Sequence, residues 1–240
     1  MKNIILTGVS KGLGLNICKH LLDNSYNVYG ISRSVNEEIK ALKKKYSGFT
    51  HIIYDLENHS DIKNNLFGTE LLHDIPIHGF VNNAAYAYDD IISNLNIDTL
   101  EKMYKINVFS PMQITKFVLR NMLLHKTKGS IIHISSISVH TGYKGLSMYA
   151  STKGALEAFS KNTAREWGEI GIKSNCIVAG FMETSMSESL SEDQKNRIYK
   201  RTSLKKPTDL DSISTLINYL LSSNSKSVTG QNLFVDSGTI

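Results

Sequence analysis

The stretch Ile4-Ile-Leu-Thr-Gly-Val-Ser-Lys-Gly-Leu-Gly14 decides the fold. Its short apolar run, Ile4 to Leu6, reads as a buried strand, and a glycine cluster follows at once. Leu13, Ile17 and Leu21 then recur every four residues, which puts an apolar stripe on a helix. Strand, glycine-rich turn and helix together form the setting that a nucleotide-binding turn requires. Gly8 permits a tight turn, Gly12 lets backbone N–H groups approach a pyrophosphate, and Gly14 allows close packing of helix on strand. The helix N-terminus adds partial positive charge. Ser10, Lys11 and Leu13 complete this candidate binding turn. The competing reading is an ordinary strand–helix turn, and the elements on either side favour the nucleotide.

Working outward, short apolar or β-branched runs recur at Asn3–Thr7, Asn27–Ser32, Thr50–Asp55, His78–Asn82, Ser130–Ser135, Lys173–Ala179 and Asn232–Val235. Between most of them lie helix-length segments, among them Leu13–Asn24, Phe109–His125 and Tyr149–Trp167. Such alternation predicts an α/β fold: a Rossmann-like, doubly wound parallel sheet of about seven strands with helices on both faces. Ligands of such sheets bind beyond the carboxyl ends of the strands. Gly8, Asn83, Ser136 and Ala179 all fall there. Thr184–Arg201, rich in Ser, Glu and Lys, reads as a helical flap over that crevice.

At 240 residues the chain suits one α/β domain over residues 1–240, and no repeat or linker divides it. The net charge is +5, yet the tight basic cluster Lys40, Lys43, Lys44 and Lys45 shares its segment with Glu37 and Glu38. That is a solvated helix face, not a nucleic-acid groove, which would interleave aromatics with the bases. The two cysteines, Cys18 and Cys176, read as small buried hydrophobes in a reducing compartment. No histidine spacing suits a metal, and no apolar stretch approaches a membrane span or a signal peptide. A cytoplasmic location is expected, with no membrane or nucleic-acid partner.

The second half of the chain carries the chemistry. Tyr149 and Lys153 stand four residues apart, one above the other on a helix. An ammonium beside a phenol favours the phenolate, so the expectation is a Tyr149 pKa lowered into a usable range. Upstream, Gly129-Ser-Ile-Ile-His-Ile-Ser-Ser136 is a β-branched strand ending in serines. Phe80-Val-Asn-Asn-Ala-Ala85 is a strand ending in two asparagines, which alone would also suit a turn.

Taken together, Thr7-Gly-x-x-x-Gly-x-Gly14, Asn82-Asn-Ala, Ser136 and Tyr149-x-x-x-Lys153 resemble the short-chain dehydrogenase/reductase family in order and spacing, along the whole chain. Val178-Ala-Gly-Phe-Met-Glu-Thr184 looks like the family's nicotinamide-capping segment, and Thr229-Gly-Gln-Asn-Leu-Phe-Val-Asp-Ser-Gly238 like its closing strand. Within the family the chain is most similar to the 3-oxoacyl-(acyl-carrier-protein) reductase type. The resemblance implies that Tyr149 is the acid that protonates the developing alkoxide in hydride transfer, with Ser136 donating to the same oxygen. The thirteen-position step from Ser136 to Tyr149 selects that serine over Ser135 and Ser138. Lys153 would lower the tyrosine pKa and hold the nicotinamide ribose. Asn107 would anchor a water joining Lys153 to solvent; it equally suits a buried polar residue at a helix kink. Asp55 and Leu56, read as the end of the third strand, would meet adenine, although Asp55 also suits a helix N-cap. Asn83 and Ala84 would line the adenosine ribose, and Thr184 would bond the carboxamide or pyrophosphate.

Charge argues for the cofactor. The second strand ends Tyr29-Gly-Ile-Ser-Arg-Ser34 without an acid, and Arg33 with Lys11 offers cations to a 2′-phosphate. NADP(H) is therefore expected. The substrate expected from the resemblance is a 3-oxoacyl thioester, with a keto-sugar or secondary metabolite as the alternative and a catalytically silent dinucleotide sensor a distant third. Ala85 and Ala179 replace the family's usual glycine and proline. Glu169 and Ile170 stand where carrier-protein reductases tend to present a basic residue, which weakens the case for a carrier-bound acyl substrate, while Lys126 and Lys128 on another loop keep carrier docking open. A homotetramer built on Phe109–His125 and Tyr149–Trp167 is the expected assembly.

Overall fold

The computed structural model describes residues 1–68, 70–184 and 190–240, apart from the side chains of Glu70 and Leu71. Seven strands are β1 (Asn3–Thr7), β2 (Asn27–Ser32), β3 (Phe49–Ile53), β4 (Ile77–Asn82), β5 (Ser130–Ser136), β6 (Lys173–Ala179) and β7 (Asn232–Val235). They form one sheet in the order β3-β2-β1-β4-β5-β6-β7. Every pairing is parallel. The strand order reverses between β1 and β4, so a crevice opens at their carboxyl ends.

Helices cover both faces: α1 (Gly12–Asp23), α2 (Glu37–Lys45), α3 (Glu70–His73), α4 (Ile97–Tyr104), α5 (Ser110–Leu124), α6 (Ser138–Thr141), α7 (Ser147–Trp167), α8 (Glu192–Arg201) and α9 (Leu210–Leu221). β1 is buried at every position, as a strand with helices above and below must be. Ile4 and Leu6 face α1 and α9, packing with Ile17, Leu21, Ile213 and Ile217. Ile5, between them, faces the opposite core with Phe80, Ile114 and Val118. This two-residue alternation divides one apolar run between two layers.

The strands agree with the sequence reading except at four ends, two of them starts: β3 and β4 each begin one residue earlier, at Phe49 and Ile77. β3 stops at Ile53 rather than at Asp55, because Ser32↔Ile53 is the last pair it makes with β2. β5 runs one residue further, and Ser136 pairs with Ala179. On α2 the acids occupy the first turn and Lys43, Lys44 and Lys45 the last, as the helix dipole favours. Lys40–Glu37 and Lys19–Glu38 pair at its surface. Cys18 and Cys176 are free and buried, and burial pushes both thiols up to about 12. Of the expected flap, residues 185–189 lie outside the described residues. Its helical part is α8, opened by a capping box between Ser191 and Gln194. Among the described residues no helix is long and apolar enough to cross a membrane.

Candidate active site

A cavity of about 670 Å³ lies at the carboxyl ends of the strands. The glycine turn forms one end. Gly8 and Gly12 have φ of +79° and +55°, a region that side chains disfavour. Gly14 faces the turn so closely that a Cβ there would lie 2.0 Å from the Gly8 carbonyl oxygen and 2.5 Å from Asn83 Nδ2. Lys11 at the N-cap of α1 gives no side-chain cap, and the first turn of α1 holds no acid. The N–H groups there are left for an outside acceptor. That donor set fits a dinucleotide pyrophosphate. Thr184 sits over the turn: a Cβ on Gly12 would come within 3.5 Å of its Cβ.

Asparagines hold this end together. Asn83 Nδ2 donates to Thr7 O at 3.0 Å, and the Asn83 and Ala84 N–H groups both donate to Thr7 Oγ1 at 3.1 Å. Asn36, which the sequence reading overlooked, donates to Ser10 O at 2.8 Å and caps α2 through Ile39 N–H. Only the capping pattern of Asn36 before Glu37-Glu-Ile was legible in the chain.

The other end of the cavity holds Ser136, Tyr149 and Lys153. Ser135 and Ser136 alternate across β5. The Ser135 hydroxyl bonds buried Glu157. Ser136 Oγ instead accepts from Ser138 N at 3.2 Å and from Ser138 Oγ at 3.0 Å. With both lone pairs engaged, the Ser136 proton is the hydroxyl's remaining capacity. Lys153 is buried, donates to Ile134 O at 2.8 Å, and places Nζ 5.6 Å from the centre of the Tyr149 ring. Burial brings its pKa down to about 8.

Two expectations need correction, and Asn107 takes the alternative open to it, a buried polar residue at a helix irregularity. The Tyr149 phenol is pushed up, not down, because burial and the nearby Asp89 carboxylate both disfavour the phenolate. Asp55 and Leu56 line the cavity but follow β3 as a loop, where Asp55 accepts Glu57 N–H at 3.0 Å in an Asx turn rather than capping a helix. Asn107 does not reach the cavity wall. It sits in a wide π-type turn, Lys105–Phe109, between α4 and α5. Its side chain accepts from Tyr86 N, donates to Tyr86 O (both 2.8 Å) and donates to Thr152 Oγ1 at 3.1 Å. The other residues predicted for the site, namely Gly8, Ser10, Lys11, Gly12, Leu13, Gly14, Arg33, Asp55, Leu56, Asn83, Ala84, Ser136, Tyr149, Lys153 and Thr184, all line the one cavity. Asp89, Lys144 and Arg201 line it too, and were not singled out from the sequence.

Residues 8–239 match the family profile described as enoyl-(acyl carrier protein) reductase. The chain belongs to the short-chain dehydrogenase/reductase family. Carbonyl reductase (NADPH) 2 of Sus scrofa is 28% identical over 98% of this chain and 94% of its own length. The 3-oxoacyl-(acyl-carrier-protein) reductase FabG of Buchnera aphidicola subsp. Baizongia pistaciae is 28% identical over 99% and 96%. Among solved structures, 4-hydroxyisoleucine dehydrogenase complexed with NADH superposes with a TM-score of 0.93 at 25% identity, covering 100% of this chain and 98% of that one. As a short-chain dehydrogenase/reductase, the protein is an NAD(P)-dependent oxidoreductase with the Rossmann-like sheet described above.

Proposed function

We propose that this enzyme interconverts a ketone and a secondary alcohol with NADP(H), working as a reductase. One observation carries the reading: Ser136, Tyr149 and Lys153 share a single cavity with the glycine turn of α1. Bound NADP(H) supplies the hydride. Tyr149 gives its proton to the oxygen that becomes the alkoxide, and Ser136, its lone pairs occupied by Ser138, turns its hydroxyl proton to the same oxygen. Lys153 has spent one of three protons on Ile134 O and keeps the others for the nicotinamide ribose. Burial and Asp89 favour the protonated phenol, the form from which Tyr149 gives its proton in reduction. Asn107 acts here as a positioning residue, since its polar atoms are taken by Tyr86 and Thr152.

Arg33 supports NADP(H) over NAD(H). It lies just past β2 on the cavity wall, and among the described residues neither the Arg33 nor the Lys11 side chain, both exposed, has a hydrogen-bond or ion-pair partner. Two free cations beside the adenosine end suit a 2′-phosphate. Relatives named for NADPH and NADP(+), the carbonyl reductase above and an L-rhamnose 1-dehydrogenase of Thermoplasma acidophilum, are in keeping with this.

For the substrate, the relatives named 3-oxoacyl-(acyl-carrier-protein) reductase support a 3-oxoacyl thioester. A second reading, a small polar ketone of a specialised pathway, is favoured by the Asp89 carboxylate on the cavity wall, a poor neighbour for an acyl chain. We take residues 1–240 as one domain and the assembly as a homotetramer, in keeping with exposed Phe109, Leu123 and Leu124 on and beside α5. The test of the catalytic reading is Tyr149→Phe. It should cut kcat by about 10²–10⁴-fold while NADPH still binds. A variant turning over at near the wild-type rate would remove Tyr149 from its role. Screening NADPH oxidation against acyl thioesters, keto-sugars and simple ketones separates the substrate classes.

A further inference from the structure

Two adjacent aspartates, Asp89 and Asp90, sit on the loop after β4 and divide their work. Asp90 is structural: its N–H donates to Gly145 O at 3.0 Å, and its carboxylate accepts from Ile91 N at 2.7 Å and Asn94 Nδ2 at 3.1 Å. The other end of the loop is pinned where Asn107 brackets the Tyr86 backbone. Between these anchors Asp89 lines the cavity that holds Tyr149, and among the described residues it has no hydrogen-bond or ion-pair partner. Lys144 and Arg201 line the same cavity, and neither pairs with it. A loop fixed at both ends therefore presents an exposed, unused carboxylate to the cavity that holds the proposed proton donor.

Resting on the ketoreductase reading, we propose that Asp89 is a specificity-determining residue that selects ketones carrying a protonated amine close to the carbonyl. The argument is electrostatic. During reduction negative charge develops on the substrate oxygen next to Tyr149, and a carboxylate on the wall of the same cavity opposes it, although Asp89 is exposed and water screens part of the effect. Asp89 already acts on this phenol, adding to the effect of burial. An ammonium seated against Asp89 cancels that charge and makes a charge-assisted hydrogen bond. A neutral polyol would bond the carboxylate but leave its charge in place. A substrate with a carboxylate or phosphate at that point would be repelled.

The test compares kcat/KM for two matched pairs under NADPH, with enzyme in excess so that slow turnover is measurable. Aminoacetone is set against butan-2-one, and acetonyltrimethylammonium against 4,4-dimethylpentan-2-one. The second pair keeps the charge but removes the hydrogen-bond donor. Wild type should prefer each cationic ketone by at least tenfold, with the larger ratio for aminoacetone. Asp89→Asn should collapse both ratios towards unity and Asp89→Glu should keep part of them, with circular dichroism and urea unfolding showing that both variants fold. Ratios near unity in the wild type, ratios that survive Asp89→Asn, or turnover confined to uncharged polyol ketones or acyl thioesters would each overturn the proposal. If no carbonyl compound of any class oxidises NADPH, the ketoreductase reading itself falls; if ketones are reduced without regard to charge, only the role of Asp89 does.

Discussion

Gly14→Ala adds one methyl group, and the structure leaves it nowhere to go. The new Cβ would lie 2.0 Å from Gly8 O, 2.5 Å from Asn83 Nδ2 and 2.8 Å from Gly8 C, whereas real Cβ contacts stay above 3.0 Å. Two of those atoms are backbone, and the third donates to Thr7 O and Gly8 O, so none is free to yield. Helix α1 and the turn must separate by about 1 Å, a forced overpacking that costs about 3 kcal/mol. Gly154→Ala is the control, also a glycine inside a helix. Its Cβ would meet only Val139 Cγ1, at 3.6 Å, an ordinary contact. Removing a glycine from a helix interior gains about 0.8–1.0 kcal/mol. In urea unfolding, Gly14→Ala should lower the midpoint by about 1 M or more and Gly154→Ala should raise it by about 0.3–0.5 M. NADPH titration should show cofactor binding lost in the first variant, because the N–H groups of the turn move with it. If Gly14→Ala unfolds at the wild-type midpoint and keeps its NADPH affinity, the turn is not locked as argued.

Arg33→Asp should weaken NADPH by about tenfold or more and leave NADH unchanged or improved, since a charge-assisted bond to the 2′-phosphate is replaced by a like charge. Measuring kcat/KM with both cofactors decides it, and a wild type that already prefers NADH would remove Arg33 from the argument. His133 carries a pH dependence. Burial and the Lys153 cation bring its pKa down to about 3, from 6.5. Between those values the unfolded chain binds a proton that the native chain does not, so stability rises with pH. It is fully present above 6.5 and falls on acidification towards 3, by at most about 1.4 kcal/mol per pH unit. His133→Gln should flatten that limb of the unfolding-midpoint profile; a limb of unchanged slope assigns the acid sensitivity elsewhere.

The strands were legible because parallel strands buried on both faces are written as unbroken apolar runs, Ile4-Ile-Leu and Cys176-Ile-Val-Ala among them. The end of β3 was not. Tyr54 and Leu56 continue the apolar pattern, and what stops the strand is that β2 ends opposite Ile53. The candidate cavity was legible wherever a motif fixed both residue type and strand end, as for the glycine turn, Ser136 and the Tyr149–Lys153 pair. The direction of the Tyr149 shift was illegible for a physical reason. Local spacing shows only the lysine four residues away, whereas the tertiary fold adds burial and the charge of Asp89, sixty residues upstream. Asp89 itself carried no signal, because a charge on a loop reveals its facing only after the loop is anchored.

What separates the two aspartates also separates the other polar residues around the cavity. Asn36, Asn83, Asn107, Ser138 and Asp90 have committed hydrogen-bonding groups to backbone or neighbouring side chains: they bind turn to strand, loop to loop and one serine to another. Asn107 spans furthest. Through Tyr86 it holds the loop that presents Asp89, and through Thr152 it holds the turn of α7 that carries Tyr149 and Lys153. Arg33, Lys11 and Asp89 make no such bonds among the described residues. Ser136 has its proton left over and Lys153 has two. Arg33, Lys11 and Asp89 are exposed, so water serves their charges until a ligand displaces it. The uncommitted charge on the cavity wall is positive at the adenosine end, where a 2′-phosphate would sit, and negative at Asp89, in the part of the cavity proposed for the substrate. Charge complementarity thus supports a 2′-phosphate on the cofactor and, as proposed above, a positive charge on the substrate.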